Sequence, residues 1–163
     1  MHRIVISLLD MMRLRSGPQD LPAGRSLTLV LAIAYLAQGF FADRILDDTA
    51  TAPRSMVAIL VQFAIIAGIL NVKSLASRIN QTISALAGTG FLFGLISIAL
   101  LSRIDPERPQ AELALMYLLL FLWSLAVDAN IYRHALSIKM GSGALVAVMI
   151  FLANFVILRT LFA

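Results

Sequence analysis

One carboxylate stands apart from every other acidic residue in this sequence. Asp128 lies in the run Trp123-Ser124-Leu125-Ala126-Val127-Asp128-Ala129-Asn130-Ile131-Tyr132-Arg133-His134. An ionisable group inside a membrane-crossing helix costs about 2.5–3.5 kcal/mol at the helix centre and less near the ends, so it marks a candidate for function. Tyr132 follows four residues on and shares a helical face with Asp128. Asn130, Arg133 and His134 complete a polar cluster that reaches toward water. Two chemistries fit these residue types. The cluster can handle a proton or a small ion. Alternatively it is a polar knot at a helix end, with Asp128 paired to a cation such as Lys73, Arg78 or Arg133. A working relay shows further acids deep in the bundle, and none is present here, which favours the knot.

The remaining chemistry-bearing patterns point to packing. Ser84, Gly88, Gly90 and Gly94 make two pairs of small residues spaced by four, and such pairs let helices approach closely. Ala64 and Gly68 form a similar pair. The run Gly88 to Gly94 lacks the lysine and the strand context that a phosphate loop requires. Gln38, Gln62 and Asn154 are neutral polar residues suited to interhelical hydrogen bonds of about 0.6 kcal/mol each. Arg159 can extend to an interface. His2 and His134 are too far apart in sequence to suggest a metal pair, and the chain has no cysteine. No metal, cofactor or nucleophile–base constellation is legible, so the sequence reads as non-enzymatic.

These residues must be positioned by helices in a bilayer. The chain has 163 residues, of which 60% are apolar and only 13% charged. Its mean hydropathy is +0.90. A soluble domain is about 45–50% apolar and about 25% charged, and one core of this size could not hide the excess. Five apolar segments stand out, at 27–46, 56–72, 79–101, 111–131 and 144–162. A helix rising about 1.5 Å per residue needs about 20 residues to cross the hydrocarbon, so each can span it. The fold expected is all-α, a polytopic transmembrane bundle of five spans over 27–163. Pro53 would open the second span with Thr51 as its cap, and Asp105-Pro106-Glu107-Arg108-Pro109 reads as a rigid turn. Gly141-Ser142-Gly143 reads as a break before the last span, with Ser142 as cap.

Residues 1–26 differ. Ile4, Val5, Leu8, Leu9, Met11 and Met12 fall on one side of a helix, and Arg3, Ser7, Asp10 and Arg13 on the other. Asp10 interrupts the apolar run and no cleavage site follows, which argues against a signal peptide. An amphipathic helix lying on the membrane surface, or capping the bundle end, is expected instead. Orientation follows from the basic residues. Eight Lys and Arg (Arg3, Arg13, Arg15, Arg25, Lys73, Arg78, Arg133 and Lys139) fall on one side, and five on the other. The N-terminus is therefore expected in the cytoplasm and the C-terminus outside. The net charge of +4 belongs to these loops. No basic run or aromatic-interleaved patch suggests nucleic acid as a partner.

Five spans with a cytoplasmic N-terminal segment resemble the Yip (Ypt-interacting-protein) superfamily. Arg15-Ser16-Gly17-Pro18-Gln19-Asp20-Leu21-Pro22, and Trp123 to Val127 followed by Tyr132 to Leu136, look like patterns in small bacterial inner-membrane proteins of that type. Eukaryotic members carry an Asp-Leu-Tyr-Gly-Pro motif before the first span. Only Gly17-Pro18 and a displaced Asp20-Leu21 resemble it here, so binding of small GTPases is not implied. The resemblance implies a bacterial inner-membrane protein, with a periplasmic C-terminus and the lipid bilayer as its surroundings. A scaffold or accessory subunit is expected, with a membrane protein or a second copy as partner. The alternative is a small ion- or solute-handling transporter or channel using Asp128.

Overall fold

The computed structural model describes residues 2–46, 54–103 and 110–162. These form six α-helices: α1 (His2–Met12), α2 (Arg25–Leu46), α3 (Arg54–Val72), α4 (Ile79–Leu101), α5 (Ala111–Leu136) and α6 (Met140–Leu161). The described residues contain no strand. Helices α2 to α6 are each long and apolar enough to cross a membrane. Thr51, Pro53 and the Asp105–Pro109 turn lie outside the described residues.

Helix α4 is the central member and packs against α1, α2, α3 and α5, while α3 and α5 also meet α6. Its small residues explain this placement. Ser84 to Thr89 are all buried, so neighbours crowd α4 along that stretch. The apolar residues of α2, α5 and α6 point outward instead, including Val30, Ile33, Leu115, Leu119, Leu152 and Phe155. Helices apolar all round, with their outer faces bare, suit a hydrocarbon solvent.

Three boundaries correct the sequence reading. α5 continues to Leu136 rather than ending near 131, because nothing in Tyr132 to Leu136 breaks a helix. α6 begins at Met140, so Gly141-Ser142-Gly143 is its first turn and not a break, and Ser142 is no cap. The break falls instead at Ser137, which adopts a left-handed conformation (φ 55°). The pair Ala64 and Gly68 is also corrected. Both are exposed on α3, and a Cβ at Gly68 would meet nothing within 4 Å.

α1 lies along the flank of the bundle and not only across its end. Leu8, Met11 and Met12 are buried, whereas Val5 and Leu9, expected on the same side, are exposed. Ser16 Oγ donates to the Ser7 carbonyl (3.1 Å), so residues 13–16 turn back beside the helix. Trp123 Nε1 donates to the Met12 carbonyl (2.8 Å) and Asn130 Nδ2 to the Ser16 carbonyl (2.9 Å). The returning segment thus follows α5 from Trp123 toward His134. A short 3₁₀ turn, Pro18–Asp20, closes it, with the Gly17 amide donating to Asp20 Oδ2 (3.0 Å).

Candidate functional site

The five polar residues of α5 do not form one cluster. At 100° per residue, Asp128 and Tyr132 share one face, and Asn130 and His134 share nearly the opposite one. The structure uses both faces. Asn130 holds Ser16, and its own carbonyl lies 2.8 Å from His134 Nδ1. His134 also packs against Gly17, where a Cβ would sit 2.7 Å from its ring. This face anchors the N-terminal segment. Arg133 has its Cβ near Gly143 of α6, and its Nε lies 3.5 Å from His134 Nδ1.

Asp128 and Tyr132 face α3. Gln62 Nε2 donates to Asp128 Oδ2 at 3.1 Å and to Tyr132 Oη at 2.9 Å. The expected ion pair is not formed: among the described residues no cationic group lies within 4.0 Å of Asp128. Arg78 is drawn elsewhere. Its Nη1 donates to the carbonyls of His134 (3.3 Å) and Ala135 (2.9 Å) and to Ser137 Oγ (2.6 Å). The last carbonyls of α5 carry partial negative charge, so a guanidinium there is well placed.

Asp128 forms one end of a cavity of about 360 Å³ between α2, α3, α4 and α5. Its wall includes Tyr35, Gln38, Gln62, Phe93, Ser97 and Tyr117. From Asp128 to Tyr117 it runs about 17 Å along α5, at 1.5 Å per residue. It reaches Ser55 near the start of α3 and Leu101 at the end of α4. Beyond Asp128, Ile66, Leu70, Val127, Ile131 and Tyr132 are all at most 1% exposed and form a buried layer. The cavity therefore extends from the level of Ser55 and Leu101 to the Asp128 carboxylate.

The small residues of α4 shape this space. Gly90 seats the Tyr35 ring, and Gly94 seats the Gln38 amide. Gly88 seats Leu8 of α1. Ser84 Oγ lies 2.9 Å from Thr28 Oγ1, which also lies 3.1 Å from the Asn80 carbonyl. The four small residues thus receive side chains from two helices, one pair positioning the cavity wall. Gln38 Nε2 then donates to the Phe91 carbonyl at 3.0 Å. Asn154 Nδ2 donates to the Ala58 carbonyl at 2.8 Å and ties α6 to α3. At the wider end, Asp43 accepts from the Ser55 amide (2.8 Å) and from Ser55 Oγ (2.5 Å), capping α3 from α2. The sequence carried no sign of this cap, because its two residues belong to different helices. Comparison with protein-family models, curated proteins and solved structures finds no match for this chain.

Proposed function

We propose that this chain is a multi-pass protein of a bacterial inner membrane that takes a small solute into the cavity and holds it against Asp128. The observation that carries this reading is the cavity itself, about 360 Å³ of space ending on a carboxylate without a cationic partner among the described residues. A bundle serving only as a scaffold gains nothing from such a space. Helices in a bilayer are held together by close packing, and a void forfeits those contacts. An unpaired carboxylate adds a further cost. Both features favour solute handling over a scaffold or accessory role.

The reading involves binding and passage and no catalytic step. The buried layer around Ile66, Leu70 and Tyr132 would have to part for the solute to cross. The excess of Lys and Arg around the N-terminal segment supports a cytoplasmic N-terminus, which turns the cavity toward the periplasm. In that frame Val5, Ile6 and Leu9 of α1 face lipid, and Arg3 reaches for head groups.

Cysteine scanning tests the reading directly, because the native chain has none. Ser97→Cys and Ser124→Cys on the cavity wall should react with a small hydrophilic maleimide in reconstituted vesicles. Leu152→Cys, on the exposed face of α6, should not. Unreactive thiols at both wall positions, in protein that still elutes as a single species, would sink the proposal.

A further inference from the structure

The cavity wall is rich in acceptors and poor in free donors. Gln62 commits both hydrogens of Nε2, one to Asp128 and one to Tyr132. The bond from Gln38 Nε2 to the Phe91 carbonyl fixes which way that amide lies. Gln38 Oε1 therefore points away from Phe91, and it is buried with no partner among the described residues, in a side chain only 9% exposed. Ser55 Oγ donates to Asp43, and Ser124 Oγ donates to the Phe121 carbonyl (2.8 Å). The hydroxyls of Tyr35, Ser97 and Tyr117 accept as readily as they donate. What the wall offers an entering molecule is thus the Asp128 carboxylate, with the hydroxyls of Tyr35, Ser97 and Tyr117 beside the same space, whereas Gln38 Oε1 is closed off against Gly94. A carboxylate with one neutral donor and no cation is short of partners, so a ligand that donates recovers the most.

We infer that the ligand is a small organic cation with N–H donors, a primary ammonium or a guanidinium on an apolar body. This rests on reading the cavity as a solute site. The positive head would meet Asp128, and the body would lie among Phe93, Tyr117, Phe121 and Ile98, all of which line the space. Aromatic faces attract cations as well as apolar groups. A bare metal ion would need six or more oxygens gathered at bonding distance, and this wall is largely carbon. The volume holds on the order of ten non-hydrogen atoms, taking about 30 Å³ for each water-sized group.

The test uses full-length protein in lipid nanodiscs carrying Ser97→Cys, with phenylethylammonium as probe and phenylpropionate as its anionic counterpart. The ammonium should protect Ser97→Cys from the maleimide in a saturable way, and the carboxylate should not. Asp128→Asn can still accept from Gln62 and so preserves the wall. Its maleimide rate without probe should match the parent, while half-protection should need roughly tenfold more ammonium, the scale of one charge-assisted hydrogen bond. Labelling without ammonium protection, equal protection by the anion, or no effect of Asp128→Asn overturns the inference and leaves the solute site standing. No labelling of either Ser97→Cys or Ser124→Cys removes the solute site and this inference with it.

Discussion

The side chain of Leu8 fills the notch left by Gly88, so closely that a Cβ on Gly88 would lie 2.6 Å from Leu8 Cδ2. This contact fastens α1 to the middle of α4, and a β-branched side chain cannot share the space. Gly88→Val should therefore release α1. The single tryptophan reports the event, because Trp123 donates to the Met12 carbonyl and stacks edge-on against Phe93 at 5.1 Å. Its emission in Gly88→Val should match that of protein lacking residues 2–16. Gly88→Ala should be milder, and Leu8→Ala should restore the parent spectrum to it. An unchanged spectrum in Gly88→Val would contradict the docking.

Gln62 holds two acidic or phenolic groups with one nitrogen, so its loss should exceed that of either partner. Gln62→Leu leaves Asp128 Oδ2 and the buried Tyr132 Oη without donors, a cost of about 1–3 kcal/mol for each stranded group. Tyr132→Phe removes one acceptor cleanly. Thermal unfolding in detergent should rank Gln62→Leu well below Tyr132→Phe. The double variant should be less destabilised than the sum, by about 1 kcal/mol, because the stranded phenol is gone. Strict additivity would mean that the two side chains do not communicate.

The sequence made some of this geometry readable and hid the rest for a physical reason. The helical period alone puts Tyr132 on the face of Asp128, and their common donor is on that face. The same period separates Asn130 and His134 from them, and reading the stretch as one cluster ignored it. Which helix supplies Gln62 depends on how α3 is rotated about its axis, and no residue of α3 states that. Arg78 was an obvious partner for Asp128 by charge, yet the last carbonyls of α5 lie nearer to it. The five spans were plain because length and hydropathy are properties of one segment. The cavity is a property of four, and it was invisible.

Gly141 and Gly143 are two residues apart in one helix and should respond oppositely to alanine. A Cβ on Gly143 would lie 2.5 Å from the Ala129 carbonyl oxygen and 3.2 Å from the Arg133 amide nitrogen. Both are backbone atoms of α5, and no rotamer relieves them. Gly143→Ala must push α5 and α6 apart, at a cost of about 1–3 kcal/mol. A Cβ on Gly141 would meet nothing within 4 Å. Gly141→Ala should be neutral or stabilising by up to about 1 kcal/mol, since alanine is the better helix former. Paired melting curves decide the matter, and equal shifts for the two variants would refute the tight α5–α6 contact.

Three helices close through a left-handed residue that is not glycine: Leu14 (φ 61°) after α1, Ser74 (φ 59°) after α3 and Ser137 (φ 55°) after α5. Each closure shows the paired bonds of a Schellman turn. After α3 these run from the Ser74 amide to the Asn71 carbonyl (3.0 Å) and from the Leu75 amide to the Leu70 carbonyl (2.7 Å). A side chain at such a backbone costs about 1 kcal/mol, which glycine avoids. Ser74 is exposed, so Ser74→Gly should raise stability by up to about that amount. Ser137→Gly gains the same relief but loses the 2.6 Å bond from Arg78, so it should gain little. Comparing the two variants by thermal unfolding separates backbone relief from side-chain bonding. A Ser74→Gly protein that melts below the parent would show that the left-handed turn carries no cost here.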